Sequence, residues 1–134
     1  MKLSRIIAMI LLMCCLSTVL PAAEVDRELD KRISRIERYI YGDEQSAAVA
    51  DRLRQIEEDL FGRSTGQTDS EKSRYLHDFI FKGSASNLSL DMKLSFLEWK
   101  LFNKTGEGTL EVRLAEIDKK VIGNVSMEPM AFRL

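Results

Sequence analysis

The sequence feature that most limits the fold is a segment that recurs at a nearly constant step of 20 residues. Five segments align, and they begin at Ile33, Leu53, Ser73, Leu94 and Leu114. These starts give steps of 20, 20, 21 and 20 residues. A fixed period of this kind is typical of repeat architectures, in which each unit buries its apolar side against a neighbouring unit.

Each unit has the apolar pattern of an α-helix. Counted from the first residue of a unit, apolar side chains fall at positions 0, +3, +7 and +8, and most units add one at −4. Positions −4, 0, +3 and +7 lie within about 60° of each other around a helix, and the two-residue period of a β-strand does not fit them. The sequence therefore predicts short helices, each with one narrow apolar seam.

Helix start and stop signals agree with this pattern. Ser89 and Thr109 stand where an N-cap is expected, and Thr68 to Glu71 has the spacing of a capping box. A residue that can close a helix in the left-handed conformation follows the last apolar pair in four units: Gly42, Gly62, Asn103 and Gly123. We expect helices of about 12 to 15 residues and turns of about 5 to 8 residues.

The expected fold class is all-α, an array of about five short antiparallel helices, because a single helix of this length is marginal in water. Two arrangements remain open, a short open α-solenoid and a closed small helical bundle. The narrow seam and the likeness of the units favour the open array. The predicted boundaries are 1–23 for a signal peptide, 24–124 for the helical repeat domain and 125–134 for a C-terminal tail, which either covers an end of the array or extends freely.

The first 23 residues have the three parts of a secretory signal peptide. Lys2 and Arg5 are followed by an uncharged apolar stretch, 6–20, and by small residues before Glu24. The stretch is shorter than the roughly 20 residues that a membrane-spanning helix needs, and a short uncleaved anchor is the alternative. We therefore expect a secreted, periplasmic or other cell-envelope protein whose mature chain begins near Glu24.

Cysteine and charge exclude several classes of function. Cys14 and Cys15 both lie in the apolar stretch, so a mature chain has neither a disulfide nor a thiolate metal site, and lipid attachment is the alternative use of one of them. The chain has 20 Lys and Arg and 21 Asp and Glu, and losing Lys2 and Arg5 leaves 18 − 21 = −3. Both signs alternate along the chain, which argues against a nucleic-acid partner and against a membrane contact beyond the signal segment.

An acidic and a basic position also recur in the units. Position +4 is acidic in four units and His77 in the third, and position −1 is basic in every unit. The acids are Glu37, Glu57, Glu98 and Asp118, and the bases are Arg32, Arg52, Lys72, Lys93 and Arg113. Being five residues apart, acid and base cannot face each other within one helix. Either they pair between neighbouring helices as an ion-pair ladder, or they form a solvated helix flank.

The third unit departs from the pattern with Asp69, Ser73 and His77. Three interpretations of these residues remain open: a weak helix start, a bend between two halves of the array, and simple drift of the repeat.

The fourth unit carries extra apolar residues at i, i+4 and i+7, on a second face of its helix. Such a helix is either packed on both sides within the fold or presents a patch to a partner. Tyr75 and Phe79 of the third unit could extend the same surface. The candidate partner-binding residues are Tyr75, Phe79, Met92, Phe96 and Trp99.

Catalytic signatures are few. The chain has one His, no Cys outside the apolar stretch and no phosphate-binding loop. Neighbouring acids such as Glu57 and Glu58 are expected on solvated flanks with ordinary pKa values, where they make poor acid–base catalysts. We therefore expect no catalytic residues, no metal site and no cofactor.

The sequence predicts an exported, non-enzymatic helical-repeat protein that serves as an envelope or extracellular interaction or scaffold module and has a protein partner. Two alternatives remain, a small glycan- or peptidoglycan-binding module and an inhibitor or accessory subunit of an exported enzyme. Homo-oligomerisation also stays open.

Overall fold

The structure is a computed structural model that describes residues 22–134. Over these residues the chain is all-helical, with five α-helices, one 3-10 turn and no β-strand. These elements are α1 (Ala22–Tyr41), α2 (Val49–Phe61), α3 (Asp69–Phe81), α4 (Leu90–Phe102), α5 (Leu110–Val121) and the 3-10 turn (Met130–Phe132). The predicted signal peptide lies outside the described residues, apart from its last two positions.

Local signals account for the helix ends. Helices α2, α3 and α4 have 13 residues and α5 has 12, as the sequence predicts, whereas α1 has 20. Thr68 and Glu71 form the predicted capping box, and the Ser89 and Thr109 hydroxyls accept hydrogen bonds from amides three residues later. Asn103 closes α4 in the left-handed conformation, with φ at 57°.

The core consists of the predicted seam residues, brought together from all five helices. Burying one Leu or Ile side chain contributes about 1.5–3 kcal/mol, so this packing supplies far more stability than helix propensity does. The apolar side chains that are at most 4% exposed are Ile33, Ile36, Ile40, Leu53, Ile56, Leu60, Leu76, Ile80, Leu90, Leu94, Leu110, Leu114 and Ile117.

The helices form a small closed bundle, which corrects the preference for an open array. Helix α1 packs against α2 and α3 and also against α5, and the C-terminal 3-10 turn packs against α2. An open array would keep the first and last helices apart. Met130 and Leu134 pack against the core, so the tail covers part of the bundle. None of the helices within 22–134 combines the length and hydrophobicity needed to cross a membrane.

Two of the polar residues that interrupt the pattern of α3, Ser73 and His77, face α1. Ser73 is fully buried and accepts a hydrogen bond from Arg32 Nη1 at 3.3 Å. His77 Nε2 lies 3.3 Å from Arg35 Nη1, and the Arg35 guanidinium lies 4.4 Å from the centre of the Phe81 ring. Helix α3 is a full helix with a capping box, so a weak helix start is excluded and two of its departures mark the α1–α3 contact.

Candidate interaction surface and the junctions that support it

The acid at position +4 of a unit is buried beneath the loop that follows its helix. The residues Glu37, Glu57, Glu98 and Asp118 are 0%, 1%, 2% and 5% exposed. Each accepts a hydrogen bond of 2.8 to 3.2 Å from the backbone amide eight residues later, and the amides belong to Gln45, Thr65, Gly106 and Ser126. We call the region where a helix, its loop and the next helix meet a junction.

Two junctions are completed by an arginine of the next helix. Arg52 donates two hydrogen bonds to Glu37, from Nε to Oε1 at 2.8 Å and from Nη2 to Oε2 at 2.6 Å. Arg113 donates two hydrogen bonds to Glu98 in the same geometry, from Nε to Oε1 at 2.7 Å and from Nη2 to Oε2 at 2.8 Å. Paired, charge-assisted hydrogen bonds of this geometry are the strongest that side chains make, and they fix two helices in one register.

Both arginines have further partners that the repeat pattern did not predict. Each also donates to an aspartate seven residues before its glutamate and to a serine three residues before it. These partners are Asp30 and Ser34 for Arg52, and Asp91 and Ser95 for Arg113. The available signal was that an Asp and a Ser occupy these two positions together only in the first and fourth units.

The α2–α3 junction uses a lysine. Lys72 Nζ lies 2.9 Å from Glu57 Oε2, and the hydroxyls of Ser64 and Thr65 donate to the same carboxylate at 2.7 and 2.6 Å. Burial opposes ionisation of Glu57, but the two hydroxyls and Lys72 outweigh it and hold the pKa of Glu57 below its usual value. The expectation of a solvated Glu57 with an ordinary pKa is therefore wrong.

The C-terminal tail completes a fourth junction. Arg133 Nε donates to Asp118 Oδ2 at 2.9 Å, and both side chains are 6% exposed. The predicted boundaries leave residues 125–134 outside the repeat domain. The missed signal was that Arg133 follows Asp118 by 15 residues, the same separation as between Glu98 and Arg113.

The α3–α4 junction lacks an equivalent ion pair. His77 stands in place of the acid, and its Nδ1 lies 3.2 Å from Oδ1 of the adjacent Asp78. Lys93, at position −1 of the next unit, makes no ion pair within residues 22–134. The ion-pair ladder is therefore confirmed for the α1–α2, α2–α3 and α4–α5 junctions and wrong for the α3–α4 junction.

Tyr39 of helix α1 contacts Asp91 and Arg113, which link α4 to α5. The Tyr39 hydroxyl donates to Asp91 Oδ1 at 2.9 Å and lies 3.5 Å from Arg113 Nη1. Burial and the bond to Asp91 raise the pKa of Tyr39 well above its usual value, so its proton stays in place. In the part of the chain that the structure describes, every buried side-chain nitrogen or oxygen has a hydrogen-bond partner.

The candidate residues of α4 lie on its outward face. Met92, Phe96 and Trp99 are 53%, 55% and 53% exposed, so α4 is not packed on both sides by the described chain. We call these three residues the α4 outer row. Lys100 Nζ lies 5.1 Å from the Trp99 ring centre and 5.5 Å from that of Phe96, close enough for cation–π attraction.

The other two candidates, Tyr75 and Phe79, lie on α3. Tyr75 is 51% exposed, and Phe79 is half-buried. Both rings pack against Phe61 of α2, with ring centres 6.0 and 5.1 Å apart. A shallow groove of about 320 Å³ lies beside them and is also lined by Leu88. Tyr75 and Phe79 thus pack against α2, and Leu88 is a further apolar residue of their groove that the repeat pattern did not predict.

A third apolar feature lies at the end of α5. Val121 and Ile122 are 62% and 58% exposed, although Val121 stands at seam position +7. They line a groove of about 330 Å³ together with Leu97 and Leu101 of α4. The seam pattern does not reveal this exposure, because it records which side chains are apolar and leaves open how many helices surround them.

Comparisons with protein-family models, with curated proteins and with solved structures found no match. No cluster of three or more His, Cys, Asp or Glu side chains within 22–134 has the arrangement of a metal site. The class of protein that the described residues define is a small all-α bundle with buried ion-paired junctions and an exposed apolar row on one helix.

Proposed function

We propose that this protein is an exported, non-enzymatic helical-repeat protein that acts as an interaction or scaffold module in the cell envelope or outside the cell. The observation that carries the proposal is the α4 outer row. Three large apolar side chains in one row on the surface of the chain, each about half exposed, are typical of a protein-binding site. The bundle beneath them has its buried polar groups satisfied within the described residues, which makes a rigid platform.

The repeat architecture is supported by contacts that recur at fixed separations. The buried carboxylates of Glu37, Glu98 and Asp118 each accept one hydrogen bond from the backbone amide eight residues later. Each also accepts a hydrogen bond from the basic side chain 15 residues later. In this scheme Arg133 and Leu134 occupy positions −1 and 0 of a further unit.

The non-enzymatic role is supported by the structural contacts of two buried acids, Glu57 and Glu98. Glu57 and Glu98 are each held by a buried cation and by loop groups, and their lowered pKa values keep them ionised near neutral pH. A general acid or base needs a pKa near the working pH and access to substrate. These carboxylates are suited to holding helices together.

Export is tested by isolating the protein from its own host and measuring its intact mass in each cell fraction. The proposal predicts a chain that begins near Glu24, without Cys14 and Cys15, in the envelope or in the culture fluid. Full-length protein in the cytoplasm would contradict export, and an acylated cysteine would support the lipid-anchored alternative.

Binding is tested by purifying the protein with its partners from the fraction in which it resides. A Phe96→Ser variant removes the centre of the α4 outer row, and Val112→Ser on α5 is a matched control because Val112 is 52% exposed. We expect one stoichiometric protein to co-purify with wild type and with Val112→Ser, and to be lost with Phe96→Ser. Capture of glycan alone would instead support the glycan-binding alternative, and equal capture by all three forms would contradict the proposed surface.

A further inference from the structure

The α4 outer row has the shape of a helix-binding stripe. Met92, Phe96 and Trp99 stand at i, i+4 and i+7, so they span about two turns, or about 10 Å, along the outward side of α4. Apolar residues at this spacing are what an amphipathic helix contacts when it packs along another helix.

The charges that border the α4 outer row from its own helix are positive. The two acids of α4, Asp91 and Glu98, are both hydrogen-bonded to Arg113 of α5, and Glu98 is 2% exposed. The exposed Lys100 lies against the rings of the row, and the partly exposed Lys93 makes no ion pair within residues 22–134. An occupant of the row therefore meets lysine side chains.

A second copy of this chain is a poor occupant. Lys93 and Lys100 are seven residues apart, so they lie on the same edge of the row. When two identical helices pack antiparallel about a two-fold axis, equivalent edges face each other, which would bring the lysines of both copies together. A parallel pair would bring the lysines to the edge that carries Asp91, whose carboxylate is already bonded to Arg113 and Tyr39.

An anionic membrane is also a poor occupant. Residues 24–134 carry 18 basic and 21 acidic side chains, a net charge of −3, so most of the bundle would be repelled by anionic lipid. Membrane-binding basic clusters contain about 4–8 Lys or Arg, whereas two lysines of α4 border this row. A short acidic helix matches both the length of the row and its charge.

We propose that the α4 outer row binds an amphipathic helix of a partner protein, with aliphatic residues at i, i+3 or i+4, and i+7 and with acidic residues along one flank. This inference rests on the proposed function and adds the chemistry of the partner. The aliphatic side chains cover Phe96 and Trp99, and the acidic flank pairs with Lys93 and Lys100.

The test uses two synthetic helical peptides that share one leucine face and differ only in a glutamate or a lysine flank. Trp99 is the one tryptophan of the chain, so its fluorescence reports contact with either peptide directly. We expect the glutamate-flanked peptide to shift Trp99 emission to shorter wavelength and to bind at least tenfold more tightly than the lysine-flanked peptide. Raising the salt concentration should narrow that ratio.

A charge-reversed variant, Lys93→Glu with Lys100→Glu, should reverse the preference, while Val112→Ser should leave it unchanged. Equal binding of the two peptides, no saturable binding, or a Trp99 shift produced only by vesicles containing phosphatidylglycerol would overturn the proposal. Concentration-dependent dimerisation that is lost in Phe96→Ser would overturn it in favour of a second copy. If Phe96→Ser still abolishes partner capture from the host while the peptides are not distinguished, the acidic-helix inference fails and the proposed function stands.

Discussion

The two junctions of α4 differ in what keeps neighbouring helices in register. Toward α5, Glu98 is buried and held by Arg113 and by the Gly106 amide. Toward α3, His77 replaces the acid, and a pair of backbone hydrogen bonds between Ser84 and Asn87 closes the loop. A buried charge pair specifies how two helices align, whereas hydrogen bonds within an exposed loop shape only that loop.

The α3–α4 junction depends on backbone conformation where the α4–α5 junction depends on charge. Gly83 has φ at +66°, and a Cβ there would lie 2.4 Å from Ser89 N and 2.6 Å from Asn87 O. No other residue fits this close backbone approach without strain. The register of α3 is set in addition by its polar contacts with α1, through Ser73 and His77.

The largest effect is expected from breaking the charge pair. Glu98→Ala leaves the Arg113 guanidinium buried without its main partner and the Gly106 amide without its acceptor, which should cost about 3–5 kcal/mol in the free energy of unfolding. Urea denaturation measures this loss. Glu58→Ala is the control, because Glu58 lies on the same type of helix with a side chain 42% exposed, and it should remain near wild type. A loss below about 1 kcal/mol for Glu98→Ala would contradict a stabilising role of the pair.

The next effect concerns the backbone of the α3–α4 loop. Gly83→Ala should cost about 1–3 kcal/mol, because the left-handed conformation and the close backbone contacts both disfavour a Cβ. Gly66→Ala is the matched control, since a Cβ at Gly66 meets nothing within 4 Å. Thermal unfolding should therefore give a lower melting temperature for Gly83→Ala than for Gly66→Ala. Equal melting temperatures would show that the loop does not require a glycine at position 83.

Acid should weaken the ion-paired junctions. Burial raises the pKa of Glu98, but Arg113 and the Gly106 amide outweigh it, so the pKa in the folded protein is below the usual 4.5. The stabilisation by Glu98 is thus complete above the unfolded-state pKa and is lost as the pH falls through the folded-state pKa. The urea midpoint should drop between pH 6 and pH 3, and Glu98→Gln should flatten that drop. An equally steep dependence in Glu98→Gln would contradict this assignment.

The smallest effect should come from restoring an acid at the α3–α4 junction. His77→Glu brings a carboxylate near Arg35, whose Nη1 lies 3.3 Å from His77 Nε2. Because the His77 side chain is only 14% exposed, desolvation of the new carboxylate should offset most of its attraction to Arg35, and we expect a gain of about 0–1 kcal/mol. Chemical denaturation at pH 7 measures it. A gain as large as the loss in Glu98→Ala would mean that charge alone makes these two junctions different.

Local sequence predicted the elements of this fold well. The seam residues, the lengths of α2 to α5 and the caps at Thr68, Ser89 and Asn103 follow from helical periodicity and from backbone chemistry within a few residues. Three ion pairs could also be anticipated, because acid and base recur at fixed positions.

Closure of the bundle could not be read from the sequence. It depends on contacts between α1 and helices far along the chain, such as Arg113 with Tyr39, 74 residues apart. Ser73 and His77 interrupt the apolar pattern of their unit, and their contacts with α1 explain this interruption only once the fold is known. The same limit applies to the candidate surface, since the spacing of Met92, Phe96 and Trp99 marks a second apolar face without showing whether another helix covers it.

Buried acid–base pairs hold successive helices of this bundle in register. A double-mutant cycle on Glu98 and Arg113 tests it most directly, with the exposed pair Arg54 and Glu58 as reference. Alanine variants and urea denaturation should give a coupling of about 2 kcal/mol or more for Glu98 with Arg113, and a coupling several-fold smaller for the reference pair. Equal couplings at the two pairs would contradict the claim.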